Sequence, residues 1–190
     1  MARFAERRVR GRMAAHPERG QSLVEFALVF PIFSLLLMSV IEFGFLYNNI
    51  LTIQYASRQG VSTAAQIGGE DGADCGILKA VEAALQPPID HSRITAIVIF
   101  ESDANGDPKS GRSNRYVRSG TLDCPGTASE PYTLSGSEGY PQVDRKDSLS
   151  AGLEVVGVHI EYLYRPLTPV GLGQTWNLTD GATLRMEPKQ

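Results

Sequence analysis

Residues Arg19 to Ile41 read R-G-Q-S-L-V-E-F-A-L-V-F-P-I-F-S-L-L-L-M-S-V-I, and they decide the fold. From Phe26 to Ile41 no residue is charged, with Glu25 before the run and Glu42 after it. At a rise of ~1.5 Å per residue, a helix over those positions covers roughly 24 Å. Leu23 and Val24 before it, and Phe43 to Tyr47 after it, bring the apolar length near the ~30 Å hydrocarbon core of a bilayer. The spacing therefore predicts a transmembrane segment at about residues 23–47. Glu25 is the odd residue. A carboxylate costs about 2.5–3.5 kcal/mol near the bilayer centre on insertion scales, and less near the interface. A helix that only anchors does not need it.

Charge sets the expected orientation. The chain of 190 residues carries a net charge of −3, which hides an asymmetry. Six arginines (Arg3, Arg7, Arg8, Arg10, Arg12 and Arg19) face only Glu6 and Glu18 in residues 1–20, while the remainder is acidic. Basic segments beside an apolar one stay on the cytoplasmic side. The N-terminus is thus expected in the cytoplasm, and everything past about residue 48 outside it. A secretory signal has a shorter apolar region and then a small-residue cleavage site. Here the small-residue stretch Ser57–Ala65 lies well past the run, within a helical pattern. An arginine-rich arm also suits nucleic acid, but that reading leaves the apolar segment unexplained, so no nucleic-acid partner is expected.

Beyond Glu42, Leu46, Ile50, Ile53, Ser57, Val61 and Ala64 recur at three- and four-residue steps, with Asn48, Asn49, Gln54, Arg58 and Gln59 opposite. That is amphipathic helix spacing, and Gly68–Gly69 supply a stop. One helix is expected from about Ser22 to Ile67. Pro31 lies inside it, either as a plain kink or as a softened stretch that lets the helix adjust.

The remaining chain reads as one α+β domain, a small, mostly antiparallel sheet packed on the C-terminal part of the long helix. Asp74–Leu85 has helical spacing ended by Pro87–Pro88. Arg93–Glu101 is a β-branched run of strand length. An Asn-Gly step within Ser102–Asp107 marks a tight turn. Leu153–Tyr164 alternates as a half-buried strand, and a last strand or strand pair is expected near Gln174–Leu178 and Ala182–Met186. Residues 108–150 lack periodicity and read as an irregular excursion, with room for a short strand at Arg115–Val117. The expected organisation is a basic leader (1–20), a long helix (21–68) and an extracytoplasmic domain (69–190).

Candidate chemistry is thin. His16, His91 and His159 are scattered, and no nucleophile motif or phosphate-binding loop is present. Asp103–Asp107 has a calcium-loop flavour but lacks the downstream glutamate, since position 114 is Asn114. No enzymatic activity, metal or cofactor is expected. Asn177-Leu178-Thr179 fits a glycosylation sequon, a pattern common by chance. Tyr162, Tyr164 and Trp176 read as core or rim aromatics. Cys75 and Cys124 fall in the part placed outside the cytoplasm, where a pair is more often bridged than free. The alternative is two unrelated buried thiols.

The residues around Glu25 carry a resemblance. G-Q-S-L-V-E-F, from Gly20 to Phe26, resembles the processing site of type IV pilin-like proteins. The wider pattern R-G-Q-S-L-V-E-F-A-L-V-F-P, followed by I-E-F-G, is similar to the TadE-like pseudopilins of the tight-adherence (Flp) pilus system. It covers about the first 65 residues well and the rest loosely. The resemblance implies that a prepilin peptidase in the membrane cuts between Gly20 and Gln21. It further implies a minor pilin or pseudopilin role in Flp pilus assembly, with other pilins or pseudopilins and a pilus membrane platform as partners beside membrane lipid. A large globular domain fits a pseudopilin better than the short helical major pilin. Cleavage would give Gln21 a charged α-amine, and Glu25, one turn away, would pair with the amine of a neighbouring subunit. Phe26 belongs to the same pairing segment. The alternative is an uncleaved single-pass membrane protein with a partner-binding outer domain.

Overall fold

The computed structural model describes residues 20–126, 129–168 and 173–189. Of the expected leader (1–20), residues 1–19, with His16, lie outside the described residues. The chain divides into two compact units, Met1–Met38 and Ser39–Gln190.

In the first unit the described residues are the opening of helix α1, which spans Gln21–Ile67 and passes through Pro31 without a break. Pro31 therefore costs a backbone bond but does not end the helix. Nearly every side chain from Gln21 to Met38 is exposed.

In the second unit α1 becomes two-faced. Glu42, Asn49, Ile53, Ala56, Ser57, Gly60, Val61, Ala64 and Ala65 are buried, at three- and four-residue steps. This stripe corrects the expected one: Asn49 lies on the buried side, and Ile50 is only half-buried. Asn49 tolerates burial because its Nδ2 donates to the Phe45 carbonyl one turn back, at 2.7 Å. Gly60 marks the closest packing. A Cβ there would stand 2.6 Å from the Val81 side chain and 3.1 Å from that of Val158, so only glycine lets both approach.

Helix α2 covers Ala73–Ala84 and contributes Ile77, Leu78 and Val81 to the core. The sheet is antiparallel throughout, in the order β3-β2-β1-β4-β5. Its strands are β1 (Ile94–Ser102), β2 (Pro108–Val117), β3 (Thr133–Leu134), β4 (Val155–Tyr164) and β5 (Trp176–Arg185). In β1 and β4 the paired Ile97–Ile160 and Ile99–Val158 lie in the core with α1 and α2. The alternation read from the sequence in β4 is the one observed: Val156, Val158, Ile160, Tyr162 and Tyr164 are buried. On the opposite face Gly157 leaves room for the Phe100 ring, which a Cβ would meet at 2.2 Å.

One expectation needs correction, and one open alternative is resolved. The stretch 108–150, read as an irregular excursion, opens with the ten-residue β2 and later supplies β3. It also buries Asn114, Tyr116, Tyr132, Tyr140 and Arg145. The C-terminal strand is a single element paired with β4 from Val155–Arg185 to Tyr164–Trp176. Gly181 sits in its middle opposite His159 without interrupting the ladder. The Asn105-Gly106 step does form the turn between β1 and β2, with Asp103 Oδ1 accepting from the amides of Asn105 and Asp107.

Candidate assembly face of the N-terminal helix

Gly20 precedes α1 in a turn, and its carbonyl accepts the first helical bond, from the Val24 amide at 3.2 Å. Helical spacing then brings Gln21 and Glu25 together, and Gln21 Nε2 donates to Glu25 Oε1 at 3.1 Å. Phe26 follows, its ring 5.4 Å from that of Phe30. Gly20, Gln21, Glu25 and Phe26 thus lie within the first two turns, in an exposed position.

Beyond them Leu28, Val29, Ile32, Phe33, Leu36 and Leu37 are all more than half exposed. By length and composition this helix can cross a membrane, and none of its most apolar window is buried. A continuous apolar surface of this kind marks a contact with lipid or with other protein. Glu25 is the only ionisable side chain within it before Glu42.

Glu42 is a site residue whose contacts sequence reading missed; there it served as the end of the apolar run and as part of the I-E-F-G pattern. It is 6% exposed. Its Oε1 accepts from the Tyr164 hydroxyl, and its Oε2 accepts from the backbone amides of Leu167, at 3.1 Å, and Thr168, at 2.8 Å. Burial and this carboxylate push the Tyr164 hydroxyl above its ordinary range, so the phenol stays a donor. Tyr164 in turn stacks on Trp176, with ring centroids 5.9 Å apart. The helix, the end of β4 and the start of β5 thereby meet at one carboxylate. An acid closing a long apolar run, with an alternating strand ending in tyrosine far downstream, was the available signal, but only tertiary contact joins them.

The other polar clusters are spent on holding the domain. Asp74, at the start of α2, is buried with Arg145, which donates to its Oδ1. Asp74 Oδ2 accepts from Asn114 Nδ2 at 3.0 Å and from the Tyr116 hydroxyl at 2.6 Å. Glu82 takes bonds from His91, Arg118 and Tyr132. Cys75 and Cys124 are joined in a disulfide, with Cα atoms 5.7 Å apart, fastening the loop after β2 to α2. His159 lies half-buried on β4. Among the described residues, no group of three or more His, Cys, Asp or Glu side chains is placed to hold a metal ion.

Comparison with known proteins bears on the helix alone. No curated protein and no solved structure matches the chain. Residues 20–62, from the turn before α1 through most of its buried stripe, match the family model described as TadE-like protein, so this part of the helix carries the TadE-like signature.

Proposed function

We propose that the chain is a TadE-like minor pilin or pseudopilin that takes part in building a tight-adherence (Flp) pilus, processed after Gly20 by a prepilin peptidase. The observation that carries the reading is the exposed first half of α1, with its single carboxylate one turn from Gln21. The TadE-like match over residues 20–62 supports it. In this reading the helix sits in the bacterial cytoplasmic membrane with its N-terminus inside and the α+β unit outside.

Cleavage between Gly20 and Gln21 frees an α-amine, charged near neutral pH. Glu25 then pairs with the amine of an adjoining subunit. An uncompensated charge inside an apolar bundle is costly, so pairing rewards one register over its slips. Apolar packing supplies most of the attraction, from helices of other pilins held at the membrane platform. The chain itself needs no catalytic step or cofactor for this role.

Mass spectrometry of the protein purified from membranes tests the reading, since the mature chain begins at Gln21. A chain retaining its leader would instead make this an uncleaved single-pass protein with a partner-binding domain. Glu25→Ala should insert normally and disturb assembly. Normal levels of mutant-bearing complexes would refute the pairing.

A further inference from the structure

Within the second unit, the side of α1 opposite Asn49, Ile53 and Gly60 is uncovered. Val40, Tyr47, Leu51 and Tyr55 on that side are 46–70% exposed. At 3.6 residues per turn they share, with Gly44, an arc of about 80°. A helix facing water carries charged residues on its outer side. From Phe43 to Ser57 this one carries none. Glu42 is turned inward to Tyr164, and the next charge is Arg58. Lipid accounts for the apolar surface only to about Tyr47, where the expected span ends. Leu51 and Tyr55 lie one and two turns further on.

Gly44 sits in the middle of this arc. Glycine inside a helix is destabilising relative to alanine. At Gly60 the close approach of Val81 and Val158 explains the residue. At Gly44 nothing in the chain does, since a Cβ there would meet no atom within 4 Å. A missing side chain on an open helix face lets another backbone come close, as small residues do between paired helices in membranes.

Symmetry selects the partner. Copies inserted in one bilayer from the same side have helices running the same way. A two-fold axis along them then sets each residue of the face against itself. Any charge there would meet its own sign, whereas an uncharged stripe with a glycine at the crossing is self-complementary. The tyrosines pack their rings and keep their hydroxyls at the wet rim. The four large side chains offer roughly 400–500 Å² per copy, so close to the ~1,000 Å² at which specific interfaces begin. A shared bilayer orients both copies beforehand, which lowers the entropy lost on pairing.

We propose that this face joins two copies of the chain as a parallel pair of α1 helices that cross at Gly44, with Tyr47, Leu51 and Tyr55 packed against their counterparts. The inference rests on the membrane-spanning reading given above, and is independent of cleavage after Gly20.

The test expresses the full chain in a bacterium that lacks pilus genes and treats its membranes with a short bis-maleimide, which joins only free thiols. Leu51→Cys should yield a species of twice the 20.6 kDa chain mass. Val143→Cys, on an exposed side chain away from the helix face, should yield only background. Adding Gly44→Leu to Leu51→Cys should lower the dimer on the order of tenfold, as overpacking a close contact does. Its circular dichroism should stay unchanged, because the position is open in the single chain. Absence of the Leu51→Cys dimer overturns the proposal, as does equal cross-linking through Val143→Cys or an undiminished yield with Gly44→Leu. A product of any other mass overturns the choice of a second copy. Carbonate washing separates the two levels of the reading. Release of the protein refutes the membrane span itself, whereas a chain that stays inserted but single refutes this pairing alone.

Discussion

Removing the Asp74 carboxylate is the sharpest probe of the second unit. Its side chain is 2% exposed and that of its partner Arg145 is fully buried. Asp74→Ala removes the acceptor for three donors at once: Arg145, Asn114 and the Tyr116 hydroxyl. Arg145 is then left with a buried positive charge, although it still reaches the Tyr140 carbonyl and packs over the Tyr140 ring, 4.6 Å from its centroid. Breaking a buried ion pair from one side costs about 3–5 kcal/mol. Against a typical total of about 5–15 kcal/mol, that is a large share. At about 2–4 °C per kcal/mol for a chain of this size, melting should fall by roughly 10 °C. Urea unfolding of the full chain in detergent, followed by the fluorescence of the sole tryptophan, Trp176, measures it. Pairing the change with Arg145→Met removes the stranded charge, so the double variant should be more stable than Asp74→Ala alone. A loss below about 1 kcal/mol for Asp74→Ala, or a double variant as weak as the sum of the singles, would show that the pair does not anchor this region.

Reducing the Cys75–Cys124 bond opens a loop spanning 49 residues, which the chain-entropy account values at roughly 4 kcal/mol. The urea midpoint should drop accordingly with reductant, and Cys75→Ser with Cys124→Ser should match it. Acid should act through Glu161, whose carboxyl is held below its ordinary range chiefly by hydrogen bonds from the Arg115 guanidinium, against the opposing effect of partial burial. A depressed pKa gives stability that is present above the unfolded glutamate range and lost as pH falls through the lowered folded value. Glu161→Gln should therefore be weaker at neutral pH, by about 0.5–1 kcal/mol for a half-exposed pair. Its stability should also decline less steeply under acid, as followed by urea midpoints between neutrality and pH 3.

What the sequence disclosed depended on the range of the interactions. The long helix was plain because its signal is local: an uncharged run followed by three- and four-residue steps. Strands β1 and β4 were readable for the same reason, since β-branched residues alternate with a partner face. Strand β2 was read only at its end, Arg115–Val117, because Pro108, Lys109, Ser110 and Gly111 are exposed and its buried residues are only Asn114 and Tyr116. An asparagine that faces inward looks like a loop residue until Asp74 is found beside it. Asp74 itself reads as a polar helix start, and its burial depends on Arg145, 71 residues later. The candidate processing segment could be singled out because Gly20, Gln21 and Glu25 lie within six consecutive residues. The contacts of Glu42 could not, since its partners come from the far end of the chain.

The Glu42 contact has a mechanical consequence. Its carboxylate is held by the phenol that ends β4 and by two backbone amides just after it. Along α1 this grip comes before the apolar stripe from Ile53 onward, so a pull applied from the N-terminal end meets it first. On the proposed role, a subunit drawn out of a bilayer into a growing filament would carry its globular part as cargo fastened at Glu42.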